Sequence, residues 1–300
     1  MTQASRRSAL YMPGSNARAL EKARQIPADS LIFDLEDAVA PDAKVSARAQ
    51  VCEAVTSKAY PGREVVIRIN AMATSWGPED LSAACAAGPD AILVPKVEGP
   101  DDIVAVARRM EECAAPEPIR IWAMMETPRA ILNALAIADA SRGEGVRLAA
   151  FVMGTNDLAK DTSVRLDQSR AAVIPWLMTC VAAARANGLA ILDGVYNRLD
   201  DGDGFVRECE QGRGLGMDGK TLIHPTQVEP CNRIFSPSDE DIAWAASVQA
   251  AFDDPASAHA GVVKIDGQMI ERLHLDMARR ILAVDARNRR MPAAGGMRHG

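Results

Sequence analysis

The sequence predicts a closed (β/α)8 barrel, a TIM barrel with a helical C-terminal extension, on three observations. Short apolar runs recur eight times along the 300-residue chain. A helical stretch separates most successive runs, the order of a parallel sheet wrapped by helices. The clearest runs end in polar residues, at Asp34-Leu35-Glu36-Asp37, Asn70, Lys96, Glu126 and Asn156-Asp157. The carboxyl ends of the strands are where such a barrel keeps its chemistry. No Gly/Ser linker or charge block interrupts the repeat, so one barrel domain over residues 1–235 and an extension over 236–300 are expected.

Each element has a local reason. Strand one is expected over 8–12, closed by Pro13-Gly14, and Ser15 or Asn16 can cap a helix at 17–25. Strand two, 30–35, ends in the acidic cluster, and its helix follows Pro41-Asp42. Pro61-Gly62 turns the chain into strand three, 64–70, and a short helix at 79–87 leads to strand four, 91–96. A helix at 100–113 tolerates Pro100 in its first turn. Strand five covers 120–126, and Thr127-Pro128 opens the next helix. Strand six is 148–154. Residues 157–166 read as a longer loop before a helix around 170–187, which Gly188 can stop. Strands seven and eight are 190–195 and 220–224. In the extension, a helix near 239–252, an extended stretch at 262–265 and a helix from 269 onward are expected, with 288–300 as a disordered tail.

The bulk composition narrows the function classes. A hydrophobic share of 48% supplies a large core, and a net charge of −6 argues against a nucleic-acid partner. The six cysteines are scattered without a Cys-x-x-Cys pair, which fits reduced thiols in a cytoplasm. The opening residues read as neither a signal peptide nor a membrane span. A cytoplasmic enzyme with no membrane contact is the expectation.

The sharpest string match is misleading. Gly214 to Thr221 fits the phosphate-loop pattern, and Gly214, Gly216 and Gly219 fit a dinucleotide fingerprint. Both motifs need a strand before the glycines and a helix after them. Here a helix-like stretch at 205–211 precedes, and the apolar Thr221-Leu222-Ile223 follows. The glycines therefore read as a helix stop and a turn into strand eight, not as a nucleotide site.

The carboxylates read differently. Strand alternation puts Asp34 and Glu36 on one face and Leu35 with Asp37 on the other. Three carboxylates at one strand end suit a cation or a proton transfer, although one of them can be a structural ion pair. Glu126 and Asp157 end neighbouring strands with no His or Cys nearby, an oxygen-donor pair suited to Mg²⁺ rather than zinc. Each of the two can alternatively be a helix cap. Arg68 shares a face with Asn70, where its guanidinium can clamp a substrate carboxylate or pair with the acid cluster next door. His224 is the histidine at a strand end, equally readable as a core group, a ligand contact or a base.

Taken together, several strings resemble the citrate lyase β-subunit-like family, the CitE-like CoA-ester lyases of the HpcH/HpaI group. They are Arg7 to Gly14, Asp34 to Val39, Arg68-Ile69-Asn70, Pro95-Lys96, Glu126-Thr127-Pro128, Gly154 to Leu158, Gly219-Lys220 with Ile223-His224-Pro225, and Asp266 to Ile270. The resemblance spans nearly the whole chain. It implies Mg²⁺ held by Glu126 and Asp157, and a small-molecule CoA thioester as substrate. Arg68, Glu126, Gly154 and Thr155 would contact the acyl part, and Arg7, His224 and Pro225 would lie near the CoA. It also implies a homo-oligomer, a trimer or hexamer, in which one subunit's extension covers the next subunit's mouth.

The lyases of that family usually carry Met-Ile/Val-Asp in the extension, whereas this chain reads Met269-Ile270-Glu271. The expected reaction is carbon–carbon cleavage of a malyl-CoA or citramalyl-CoA type ester. Glu36 or Asp37 would act as base, Arg68 would stabilise the enolate, and Glu271 would protonate it. A malyl-CoA-type thioesterase, a CoA-independent pyruvate aldolase and a non-catalytic paralogue are the alternatives.

Overall fold

The computed structural model describes residues 5–254, 260–265 and 267–290. Two compact units divide it: Arg6–Asn232, and the chain from Arg233 onward together with Ser5.

In the first unit, eight short runs, most of them aliphatic, form strands buried on both faces, as parallel sheets require. They are β1 (Ser8–Pro13), β2 (Ser30–Asp34), β3 (Glu64–Arg68), β4 (Ala91–Val94), β5 (Arg120–Met125), β6 (Leu148–Met153), β7 (Ala190–Asp193) and β8 (Gly219–Leu222). They pair in chain order into a closed barrel, and β8 returns to β1 with Ser8 opposite Lys220. Ala9, Ile32, Val66, Leu93, Trp122, Val152 and Leu192 fill the interior. Two residues beyond Ile32 and Val66, alternation brings Asp34 and Arg68 side by side in register. The interior thus passes from a dry floor to a charged mouth within one step of the pleat.

The helices α1 (Ala17–Ala23), α2 (Lys44–Thr56), α3 (Gly77–Ala87), α4 (Pro100–Glu112) and α5 (Pro128–Leu132) follow successive strands. Of the two candidate caps, Asn16 closes α1, its side chain accepting from the Ala19 N–H at 3.0 Å. Thr127 does the same for α5. Then come α6 (Ala134–Asp139), α7 (Thr155–Thr162), α8 (Ile174–Ala186), α9 (Gly202–Gly214) and α10 (Val228–Ile234).

The loop expected at 157–166 is a correction, because α7 occupies most of it. Its buried residues are only Thr155 and Leu158, too few to show a helical period. Asp157 in its first turn and Lys160 in its last suit the helix dipole.

The glycine run is a turn between α9 and β8, with Gly216 at φ 89°. Lys220, which mimics a phosphate-loop lysine, points outward from the barrel and is fully buried. It meets Asp193 at 3.0 Å and Glu208 at 2.6 Å, while Arg170 holds the other side of Asp193 at 2.8 Å.

The second unit builds its own core from Ala245, Val248, Phe252, Ile270, Leu275 and Ala278. Ser238 caps α11 (Asp239–Asp253). Next, β9 (Val262–Ile265) and β10 (Gln268–Glu271) form an antiparallel hairpin, followed by α12 (Arg272–Arg290). Met269, Ile270 and Glu271 are therefore strand and not the start of a helix. Gly267, at φ 84°, makes the turn that pairs them with β9. Asp266 of the extension motif and residues 291–300 of the expected tail lie outside the described residues. All six cysteines are free, and no helix among the described residues is long and apolar enough to cross a membrane.

Candidate active site

The carboxyl ends of the strands surround a cavity of about 310 Å³ lined by Tyr11, Asp34, Asp37, Arg68, Met124, Gly154, Thr155, Asp157, Asn197 and Thr221. Two charged clusters stand in this mouth.

The first is built on Arg68. Its Nε and Nη2 each donate to Asp34 at 2.6 Å, a bidentate pair between groups at most 8% exposed. Nη1 lies 2.8 Å from Glu36 Oε2 and 3.3 Å from Asp37 Oδ2, and the guanidinium stacks 4.8 Å from the Tyr11 ring. Asp34 also accepts from the backbone N–H groups of Glu36 and Ala38, at 2.8 and 3.0 Å. These bonds curl the chain after β2 back toward Arg68. The expected alternation of Glu36 and Asp37 is thereby corrected: β2 ends at Asp34, and all three carboxylates converge on one cation. Of the two readings of Arg68, the pairing with the acid cluster is the one this geometry displays.

The charge states follow from burial. Burial pushes the Glu36 carboxyl up to about 8, outweighing the attraction of Arg68. Burial also opposes the charge of Arg68, but the adjoining Asp34 more than offsets it and holds the guanidinium charged.

The second cluster joins β4, β5 and α7. Glu126 is fully buried, and its Oε1 accepts the backbone N–H of Lys96 at 2.7 Å. The Lys96 ammonium lies 2.8 Å from Asp157 Oδ1 and 3.5 Å from Glu126 Oε1, and Lys160 reaches the same Asp157 oxygen at 2.9 Å. Burial raises the Glu126 carboxyl above its ordinary value despite Lys96. Burial also pushes Asp157 up, but hydrogen bonds from Lys96 and Lys160 outweigh it and leave the group below its ordinary value. Asp157 is inside the first turn of α7 and is not its cap.

Glu126 Oε2 is buried with no hydrogen-bond partner. A carboxylate oxygen left in that state is costly unless something positive meets it. With Asp157 across the gap, the donor set fits a hard divalent cation completed by water and substrate oxygens. No group of three His, Cys, Asp or Glu side chains suited to a metal occurs among the described residues. The set is therefore unlike a zinc centre.

Gly154 is what lets Glu126 lie there, because a Cβ at that position would overlap the Glu126 Cβ and approach Oε2 to 2.9 Å. Gly154→Ala is expected to destabilise the barrel by about 1–3 kcal/mol through this overlap. Chemical denaturation would check it, and an unchanged midpoint would show that Glu126 yields freely.

The remaining candidates scatter. Thr155 is buried at the start of α7 and borders the cavity. His224 and Pro225 are exposed just beyond β8, and His224 Nδ1 sits 2.8 Å from Thr226 Oγ1. Arg7 is a correction: it precedes β1, at the amino end of the barrel. There Asp29 engages its Nε and Nη2 at 2.8 and 2.7 Å. A CoA contact at the opposite, carboxyl mouth does not suit that placement. Glu271 is exposed at the end of β10 in the second unit, its N–H donating to His274 Nδ1 at 3.0 Å.

Sequence reasoning assigned no role to Lys96 or Tyr11. Lys96 carried a signal, a cation ending a strand run, but its approach to two carboxylates depends on a backbone φ of 54° that the sequence does not display.

A closed parallel barrel with charged side chains gathered at the carboxyl ends of its strands is the architecture of the barrel enzymes. Residues 7–225 match the model of the HpcH/HpaI aldolase/citrate lyase family. The chain belongs to that family. It is 47% identical over 277 residues to a (3S)-malyl-CoA thioesterase of Cereibacter sphaeroides, covering 92% of this chain and 93% of that protein. It is 31% identical to the citrate lyase subunit beta of Escherichia coli, covering 93% and 92% of the two chains. Among solved structures, CitE from Mycobacterium tuberculosis in complex with magnesium, acetoacetate and coenzyme A superposes with a TM-score of 0.76. That match has 26% identity and covers 95% of this chain and 100% of that one.

Proposed function

We propose that this chain is a Mg²⁺-dependent enzyme acting on a malyl-CoA-type thioester, with hydrolysis of the thioester as its reaction. The observation that carries the reading is the partnerless Glu126 oxygen, in a carboxylate that shares the Lys96 ammonium with the cavity-lining Asp157. Such a pair suits Mg²⁺ chelating a hydroxy acid. Likeness to a (3S)-malyl-CoA thioesterase over nearly the whole chain supports the choice of substrate and reaction. The CitE complex supports Mg²⁺ and CoA as ligands of the same fold.

Bound Mg²⁺ would polarise substrate oxygens as a Lewis acid. The chain does the rest. Gly154 and Thr155 leave room for the acyl group beside Glu126, while His224 and Pro225 border the route for the CoA. Asp34 is committed to Arg68 and two N–H groups, so it serves as an anchor. Asp37 lines the cavity with its side chain 68% exposed, and burial lifts the Glu36 carboxyl to about 8; these two can exchange a proton with water or substrate. In hydrolysis, water adds to the thioester carbonyl carbon, its proton goes to a carboxylate base, and as the C–S bond breaks that proton passes to the departing sulfur to release the thiol. Glu271 is assigned as that base, supplied by a neighbouring subunit of a homo-oligomer. The longer glutamate, where lyases of the resemblance carry aspartate, supports a change of task. A CoA substrate and free cysteines support a cytoplasmic location.

Carbon–carbon cleavage is the second reading, favoured by the citrate lyase subunit beta relative and by the guanidinium of Arg68 on the cavity wall. That cation can stabilise the thioester enolate left when the 2-oxo acid departs.

An assay of purified protein with Mg²⁺ and malyl-CoA or citramalyl-CoA, following thiol and 2-oxo acid separately, decides between them. Thiol without oxo acid is the expected result. Oxo acid without thiol would establish the lyase instead, and neither signal would refute both.

A further inference from the structure

Lys96 occupies the place in the mouth where positive charge is most needed, and nothing in the reaction above uses it. Its backbone holds Glu126, and its side chain separately reaches both Glu126 and Asp157. The backbone N–H donates to Glu126 Oε1 at 2.7 Å from a left-handed conformation, φ 54°, that non-glycine residues rarely hold without a reason. The side chain then turns its ammonium to 2.8 Å from Asp157 and 3.5 Å from Glu126. Lys160 also touches Asp157, but its side chain is 68% exposed and is shared with Asp161.

We propose that Lys96 is the resident counter-cation of the Glu126–Asp157 pair: its ammonium keeps the two carboxylates together in the metal-free protein and gives way when Mg²⁺ binds. The proposal rests on the Mg²⁺ reading given above. Two adjacent carboxylates repel, and one is fully buried. An ammonium between them removes that repulsion without a metal. An ammonium and a divalent cation cannot share the gap, so metal entry requires the side chain to swing out on its four-carbon stem. The backbone N–H does not depend on that movement. Glu126 therefore stays aimed, its free Oε2 included, while the ammonium leaves. Lys96 is thus a positioning residue with a removable charge, and the apparent Mg²⁺ affinity is set partly by competition with it.

The test is calorimetric titration of Mg²⁺ into metal-free wild type, Lys96→Met and Lys96→Gly, with Lys160→Met as control. Glycine relieves the left-handed backbone and keeps the N–H, so it reports even if methionine impairs folding. Both Lys96 variants are expected to bind Mg²⁺ about fivefold more tightly, the change that loss of one partly exposed ion pair corresponds to. Lys160→Met should change it less. The metal-free Lys96→Met protein should also melt lower than wild type and gain more from saturating Mg²⁺. Unchanged or weaker Mg²⁺ binding in the Lys96 variants would overturn the proposal. Wild type that binds no Mg²⁺ would instead sink the metal reading, and this proposal with it.

Discussion

Glu126→Gln is expected to lower Mg²⁺-dependent turnover by about a thousandfold or more and to leave the barrel folded. The substitution is nearly isosteric, which matters because Glu126 is fully buried against Gly154. Its carbonyl oxygen can still accept the Lys96 N–H, so the local hydrogen bond survives. What changes is the second atom. A partnerless carboxylate oxygen becomes an amide nitrogen, whose hydrogens would repel a cation bound there. Asp157→Asn should act in the same direction and less severely, because Asp157 is 21% exposed and water can substitute for it. Steady-state kinetics across a Mg²⁺ series, with a thermal melt as the folding control, checks both. Activity of Glu126→Gln within tenfold of wild type at every Mg²⁺ concentration would remove Glu126 from the metal site.

Arg68→Met should cost about 3–5 kcal/mol of stability, since it strips the cation from carboxylates that stay buried. Asp34 is 1% and Glu36 8% exposed, and both meet the guanidinium within 2.8 Å. The loss should depend on pH, and its sign follows from Glu36. Its folded value near 8 lies above the ordinary 4.5, so this contribution is fully present below about 4.5 and is lost as pH rises through 8. Arg68 is the strongest influence opposing that rise. Without it the value moves higher still, and the loss continues to higher pH. The deficit of Arg68→Met should therefore be larger at pH 9 than at pH 6, measured by urea unfolding of metal-free protein. Glu36→Gln should do the reverse and stabilise the metal-free protein increasingly between pH 5 and 8. A pH-independent deficit would mean that Glu36 is ionised throughout.

The barrel was legible in the sequence because most strands are apolar runs with punctuation at both ends, although β8, Gly-Lys-Thr-Leu, is a faint one. The strands nevertheless stop a residue or two short of the expected carboxyl ends, at Asp34, Arg68, Val94 and Asp193. Beyond those points the chain bends to satisfy polar side chains, and the period-two rule no longer assigns faces. That is why the opposite faces expected for Glu36 and Asp37 were wrong: both turn back to Arg68. Glu126 and Asp157 were legible as a pair because they end neighbouring strand runs, whereas Gly154 and Thr155 entered only through the family resemblance. Arg7 was misplaced for a simple reason: a motif that begins before its strand lies at the wrong end of the barrel. The helix α7 escaped notice because one buried leucine and one buried threonine make no stripe.

The seam of the barrel has a consequence for synthesis. Ser8 pairs with Lys220, so the first strand made waits for the last before its free edge is covered. Contacts so distant in sequence make closure late and slow. Until residue 222 emerges, one edge of β1 stays open to other strands, including those of another nascent chain. Lys220 must also reach Asp193 and Glu208 as the seam shuts, so the final step buries a charge together with its partners. A chain truncated before β8 would keep seven strands and an open edge, and it should aggregate where the full chain stays dispersed.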